Sequence, residues 1–460
     1  RSISYIIVGS IMTLTIDWKI YLIVICFSIP QFIYEIKYGV VIWGIWMENS
    51  RESRMMYFLE YFFKDKTGII ENKLYGNSNI FLSRIKSILD AFNIKTIRAE
   101  KKKMIMKICT EIFAAIGIVW GLWLIIIGVM NGTTNVGTMI FLIATFTGLG
   151  SSISILLGGF AKMLERNLYV TDIIKVLDTK PIIKLPENPV QIDYSEPPTI
   201  EFKNVSFRYP KNGEKEENSK NGPNSENSEF VLKDISFTVK PGEKIGLVGL
   251  NGSGKTTLVR LFLRIHDVSK GEILINGVNI KDISLDKWWR NLSVMFQDFM
   301  LYKFLAKEAI AVGDSEIPLD MEKVKNAARI STAGDFIEGW NNKYDEQIGV
   351  EFGGEEPSRG ERQKLAIAKS VYRRSKVLIL DEPTASVDAP SASRIFENLD
   401  NLPENQTAVL ISHNFSTIRN ADKIILLSDG RIVEMGTHNE LMNLNGKYAE
   451  SFRKQKEGFE

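Results

Sequence analysis

The sequence is short of cysteine, short of net charge and, over one long stretch, free of charged residues altogether. Its two cysteines, Cys26 and Cys109, lie far apart in apolar stretches. That spacing excludes a zinc site and a disulfide framework, and both thiols are expected to be buried. The 460-residue chain carries a net charge of only +2, so no global field points to nucleic acid as a partner. Residues 112–161 contain no Asp, Glu, Lys or Arg. A run of 50 such residues excludes an ordinary soluble surface and accommodates two membrane spans of about 20 residues each.

What is present divides the chain in two. The first 180 residues are expected to form a transmembrane domain, with spans at about 3–16, 20–46, 108–130 and 136–161. Asn131, Gly132 and Asn135 mark the turn between the last two. Asn131-Gly-Thr also fits a glycosylation sequon, but in so short a loop it reads as turn chemistry. Pro30 predicts a kink that neighbouring helices compensate. Glu35 and Lys37 are read as lying beyond the hydrocarbon, on a helix continuing into the cytosol. Residues 47–107 hold 13 Lys and Arg against 7 Asp and Glu. That excess places the loop in the cytosol. Apolar residues recurring among its charges, such as Tyr57, Phe58, Tyr61, Phe62, Ile69 and Ile70, predict long amphipathic helices. The chain opens on Arg1 and enters an apolar stretch at once, so a signal peptide is not expected, whereas earlier membrane helices are.

Prolines at 181, 186, 189, 197 and 198 mark a linker over 181–198. Residues 199–208 then alternate like a strand that ends at Tyr209. Residues 211–229 are polar, without a large apolar side chain, and are expected to form a disordered surface insertion. A short apolar strand at 244–248 runs into Gly249-Leu250-Asn251-Gly252-Ser253-Gly254-Lys255-Thr256, with Thr257 opening a helix. This G-x-x-x-x-G-K-[ST] pattern between a strand and a helix is a phosphate loop. Its glycines let backbone N–H groups converge on phosphate, and the helix start adds positive potential. Lys255 is expected to reach the β- and γ-phosphates of ATP, and the Thr256 hydroxyl to ligate Mg²⁺. Further on, four apolar residues lead into Asp381 and Glu382. They predict a buried parallel strand with two acids at the end where α/β sheets bind ligands. Asp381 is expected to hold Mg²⁺ through water, and Glu382 to polarise the attacking water.

In order and spacing these motifs resemble the ABC transporters, specifically exporters that fuse membrane and ATPase domains in one chain. The resemblance implies an all-α transmembrane bundle, of which the last four helices are present. An α/β P-loop NTPase domain of ABC type follows over 199–460. It implies that Tyr209 stacks on adenine and that Gln297 touches Mg²⁺ and senses the membrane domain. His413 would contact the γ-phosphate, and the loop Ser386-Val387-Asp388 would couple two ATP sites. A short transverse helix within 55–70 would dock on a partner's ATPase domain. The family further implies a second half-transporter as partner, contact with membrane lipids, and a multi-pass cell-membrane location with the ATPase domain in the cytoplasm. His266 and His438 match no such role and read as surface or capping residues.

One element departs from the family pattern. Where exporters carry Leu-Ser-Gly-Gly-Gln, this chain has Pro357-Ser358-Arg359-Gly360-Glu361. Ser358 and Gly360 keep the hydroxyl and the backbone N–H that the family uses on the opposite subunit's ATP. Arg359 adds a Cβ and bulk at a glycine position. It either obstructs the site or adds a phosphate contact. The first reading would make the chain a hydrolysis-impaired, regulatory member of a heterodimer; the second, an active ATP-driven exporter. Replacing residues 211–229 by a short turn is expected to leave expression and ATPase activity within about twofold of wild type, because polar loops bury little core. Steady-state ATPase measurement on the deletion variant checks this.

Overall fold

The computed structural model describes residues 2–16, scattered positions within 18–37, and 50–132, 135–210, 230–400 and 405–457. The span expected at 20–46 lies largely outside the described residues, and the insertion at 211–229 entirely so. The chain falls into two compact units, Arg1–Lys180 and Pro181–Glu460.

The first unit is helical: α1 (Ser2–Ile16), α2 (Ser50–Lys64), α3 (Lys66–Tyr75), α4 (Ser78–Met130) and α5 (Val136–Leu177). No glycine or proline interrupts residues 78–116, so α4 is one helix of 53 residues. At 1.5 Å per residue it is about 80 Å long, against about 30 Å of bilayer hydrocarbon. The span expected at 108–130 is therefore the last part of a longer helix that begins within the charged segment. Two helices among the described residues, α4 and the Val136–Leu164 part of α5, are long and apolar enough to cross a membrane. In α1 the apolar helix Ile6–Thr15 is shorter.

Large apolar side chains of α4, among them Val119, Trp120 and Trp123, stay exposed in the isolated chain. Others pack inward: Ile23, Ile125, Leu142, Phe146 and Leu149 form a small core. A Cβ on Gly117 would lie 2.4 Å from the Phe27 ring, and one on Gly121 would lie 2.3 Å from the Phe146 ring. These two glycines admit the aromatic rings against the α4 backbone. Cys26 and Cys109 are exposed, contrary to the expectation of burial. Both sit on helix faces that this chain leaves uncovered. Residues 55–70, where a short helix is expected, are shared between α2 and α3. The break falls at Asp65, whose carboxylate accepts from Gly68 N–H at 3.0 Å and caps α3.

The second unit holds two sheets. An antiparallel sheet has the order β2-β1-β4-β5, from β1 (Ile200–Phe207), β2 (Leu232–Val239), β4 (Lys270–Ile275) and β5 (Val278–Asn279). The larger sheet has the order β10-β9-β3-β8-β7-β6, from β3 (Lys244–Val248), β6 (Leu292–Met295), β7 (Val377–Asp381), β8 (Thr407–Ser412), β9 (Lys423–Ser428) and β10 (Arg431–Gly436). Strands β9, β3, β8, β7 and β6 are parallel neighbours. Successive side chains of a strand point to opposite faces, and the core divides accordingly. Val377, Ile379, Val409 and Ile411 join one apolar cluster, while Leu378, Leu380 and Leu410 join the other. Helices relevant to the site are α6 (Lys255–Phe262), α7 (Arg359–Tyr372) and α8 (Ala389–Asp400). The linker lies on this unit. The buried Arg264 guanidinium donates to Lys184 O at 2.9 Å, and Val190 N–H donates to Asp282 O at 2.8 Å.

Candidate ATP site

Four parallel strands end at one edge of the larger sheet, and each is followed by a residue singled out in the sequence. The phosphate loop follows β3, Gln297 follows β6, Asp381 ends β7 with Glu382 next, and His413 follows β8. The loop 249–254 turns back on itself through glycines at positive φ. Gly249 (φ +155°) passes so close to β9 that a Cβ would lie 2.3 Å from Leu427 O. Gly254 (φ +105°) sits at the start of α6, and a Cβ there would meet Leu232 at 2.6 Å. Lys255 is buried, and its ammonium donates to Gly249 O at 2.7 Å and Leu250 O at 3.1 Å. Burial lowers its pKa, while the nearby carboxylates of Glu382 and Asp381 oppose the shift. The Ser253 hydroxyl is buried in the same loop without a partner. Leu250, Asn251, Gly252 and Thr256 are exposed.

Thr257 and Tyr209 are brought together. Their hydroxyls are 3.1 Å apart, and Arg260 donates to the Tyr209 oxygen at 3.2 Å. The Tyr209 ring stands edge-on to Phe207 and His266. His266 is thus a half-buried packing residue. His438 is too: its Nδ1 is 2.8 Å from the Tyr448 hydroxyl, and Thr437 performs the capping.

Asp381 is 2% exposed, and its Oδ2 has no hydrogen-bond partner. Burial pushes its pKa up to about 6, with the Glu382 and Asp298 charges adding to the rise and Lys255 opposing it. Glu382 adopts a left-handed backbone, φ +51°, which costs a non-glycine residue about 1–2 kcal/mol. Its carboxylate accepts from Gln297 Nε2 at 3.0 Å on one oxygen and lies 3.3 Å from His413 Nδ1 on the other. Glu382, Gln297 and His413 therefore form one cluster.

The departing element begins α7. Ser358 caps the helix reciprocally: its Oγ accepts from Glu361 N–H, and Glu361 Oε2 accepts from Ser358 N–H at 2.7 Å. Ser358-x-x-Glu361 is thus a capping box. Arg359 takes the first helical position with an exposed side chain and no positive φ. Its backbone is thus that of an ordinary helical residue. At Gly360, in contrast, a Cβ would lie 2.7 Å from Ser386 O. Asp388 accepts from Ser391 N–H at 2.8 Å in the first turn of α8, and this bond is the main cause holding its carboxyl below the usual range. One residue escaped the sequence reading. Gln363, buried on α7, bonds to the Glu382 carbonyl and the Ser386 N–H. Its signal was a polar residue in register with Ala366, Ile367 and Ser370 on a buried helical face.

Residues 232–385 match the ABC transporter family. The chain carries the ATP-binding domain of an ABC transporter. That domain is fused to a helical region of exporter type. Over 257 residues the chain is 40% identical to the ATP-dependent lipid A-core flippase of Methylobacillus flagellatus, covering 56% of this chain and 41% of the relative. A second lipid A-core flippase, from Alkalilimnicola ehrlichii, is 32% identical over 85% of this chain and 63% of its own length. The subtilin transport ATP-binding protein SpaT of Bacillus subtilis is 27% identical over 95% of this chain and 69% of its own length. Among solved structures, a bacterial Atm1-family ABC exporter with ATP bound superposes with a TM-score of 0.83 over 98% of this chain and 76% of its own, at 22% identity. That likeness concerns the fold. The chain thus spans about two fifths of the first of these relatives and just under two thirds of the second.

The raised pKa of Asp381 yields a stability prediction for the ABC domain without nucleotide. Its folded value of about 6 lies above the ordinary 3.8. The destabilising charge is therefore absent below pH 3.8, grows as pH rises, and is fully present above about 6. Asp381→Asn is expected to raise the melting temperature of the nucleotide-free protein at pH 8. The gain should fade as pH falls through the same window. Thermal melts of both proteins across pH check this.

Proposed function

We propose that the chain is an ATP-hydrolysing half-transporter of exporter type, which pairs with a second half-transporter and moves a substrate across a membrane by alternating access. The observation carrying this reading is the convergence of Lys255, Asp381, Glu382, Gln297 and His413 at the ends of four parallel strands. Lys255 exchanges its loop carbonyls for the β/γ-phosphates as nucleotide enters. The loop N–H groups and the start of α6 surround those phosphates, and Tyr209 flanks the adenine. Ser358 and Gly360 face the nucleotide of the partner copy, with Asp388 beside that interface.

Mg²⁺ fits the donor set. Asp381 Oδ2 is buried and unpartnered, which suits a hydrated cation. Among the described residues no group of three or more His, Cys, Asp or Glu could hold a metal by itself. Magnesium in such sites characteristically completes its shell with substrate phosphates and water. Thr256, Gln297 and Asp381 would hold it, and it would neutralise charge on the transferring phosphoryl group. Glu382 accepts the proton of the attacking water, with Gln297 and His413 fixing the direction of its carboxylate.

The 13-to-7 excess of basic residues over 47–107 supports a cytoplasmic position for that loop and for the ATPase domain. ATP drives transport by binding one membrane conformation better than the other. The helical backbone of Arg359 supports the active reading over the hydrolysis-impaired one.

Glu382→Gln should retain ATP binding and lower turnover by about 100-fold or more, the usual contribution of a general base. ATPase assays beside labelled-nucleotide binding check it, and wild-type turnover would refute the role of Glu382. Arg359→Gly should lower turnover by about tenfold or more, the loss of one charged phosphate contact worth about 1.5–3 kcal/mol. A clear increase in ATPase activity would show instead that Arg359 obstructs the site.

A further inference from the structure

Gln363 is 4% exposed, and both ends of its amide are used. Nε2 donates to the Glu382 carbonyl at 2.8 Å, and Oε1 accepts from Ser386 N–H at 2.8 Å. The reversed amide would set donor against donor and acceptor against acceptor, so the bonding network fixes its orientation. A single side chain of α7 thus closes the turn 382–386 from both ends. Glu382 depends on such a closure more than an ordinary residue would. Its backbone is left-handed, a conformation that persists only where its surroundings over-determine it. Its N–H is held by Ile411 O at 2.9 Å and its carbonyl by Gln363. The peptide units on both sides of the strained residue are therefore fastened, one to β8 and one to α7.

We propose that Gln363 is a positioning residue for ATP hydrolysis: its buried amide holds segment 382–386 in the turn that aims the Glu382 carboxylate at Gln297 and His413. The proposal rests on the reading of Glu382 as proton acceptor. Gln363 acts through the backbone of that residue. Neighbouring contacts of α7 do not fasten Glu382. Gly360 lets α7 approach Ser386 O, and Lys364 Nζ donates at 2.9 Å to Ser391 Oγ in the first turn of α8. The first sets the spacing between α7 and the segment and the second ties α7 to α8, whereas Gln363 sets the turn itself.

The test compares wild type, Gln363→Met, Gln363→Glu and Glu382→Gln as full-length chains in lipid. Met keeps the length of the side chain and removes both hydrogen bonds. Glu keeps an acceptor for Ser386 N–H but sets a carboxylate oxygen against the Glu382 carbonyl. The kcat for ATP should fall about ten- to a hundredfold in the Met variant, up to the scale of a reacting group misplaced by about 1 Å. It should fall further in the Glu variant, with KM for ATP within about twofold of wild type in both. Hydrogen exchange on the nucleotide-free proteins should quicken over 382–388 while 363–372 stays as protected as in wild type. Wild-type kcat in both variants would overturn the proposal. So would a loss of kcat matched by lost ATP affinity and faster exchange along the whole of α7, since that is helix destabilisation. Should the Glu variant fail to fold, the kcat–KM split and the exchange of the Met variant decide. Wild-type turnover in Glu382→Gln would defeat the underlying reading of Glu382, a result distinct from any obtained at Gln363.

Discussion

The parallel pairing of β3, β8 and β7 is the constraint on which the ATPase unit depends. Val248 lies opposite Ser412, and Asp381 opposite Ile411. That register delivers the phosphate loop, His413, Asp381 and Glu382 to one edge within a residue or two of one another. A slip by one residue would turn every side chain to the other face of the sheet. Asp381 would then leave its position, and the two apolar clusters would exchange members. Core packing and site geometry are in this sense one specification. The alternation that fills both faces with Ile, Leu and Val also places the acids.

At that edge the structure holds groups that folding alone would not favour. Asp381 Oδ2 and Ser253 Oγ are buried without partners, each a cost of about 1–3 kcal/mol. Glu382 has a left-handed backbone. Lys255 satisfies its ammonium on carbonyls of its own loop. Ligand phosphates and a cation would relieve several of these at once. Asp381 ends β7 and Ser253 lies in the loop after β3, so these two orphaned atoms belong to the segments that a bound phosphate and its cation would meet.

Much of this was legible in the sequence. Strands β3, β7 and β8 are each built around a short apolar run, because a strand buried on both faces has little but apolar residues to show. The phosphate loop was legible because its glycines are demanded by backbone approach. Other features were hidden because they depend on what lies across space. Nothing near Gln363 in sequence indicates that its amide meets Glu382 and Ser386. Arg359 looked like a violated glycine site, since the family pattern stores no backbone angles; Ser358 and Glu361 spell a capping box that puts Arg359 inside an ordinary helix. Cys26 and Cys109 sit among apolar residues yet face outward, because on a helix whose apolar side chains stay exposed an apolar neighbourhood does not imply burial within the chain. The absence of any breaker before Gly117 announced a continuous α4, but the change from charged to apolar composition at 108 obscured it.

That continuity has a mechanical consequence. A helix with no hinge along its charged half transmits rotation and axial displacement without absorbing them. The lysine- and arginine-rich end of α4 and the Gly117–Gly121 contact with Phe27 and Phe146 thus lie on a single lever arm. A push of a few ångströms at the polar end must reappear where the aromatic rings pack against the two glycines. These close contacts, which leave no room for a methyl group, are then the place where the lever's movement meets resistance within its own unit.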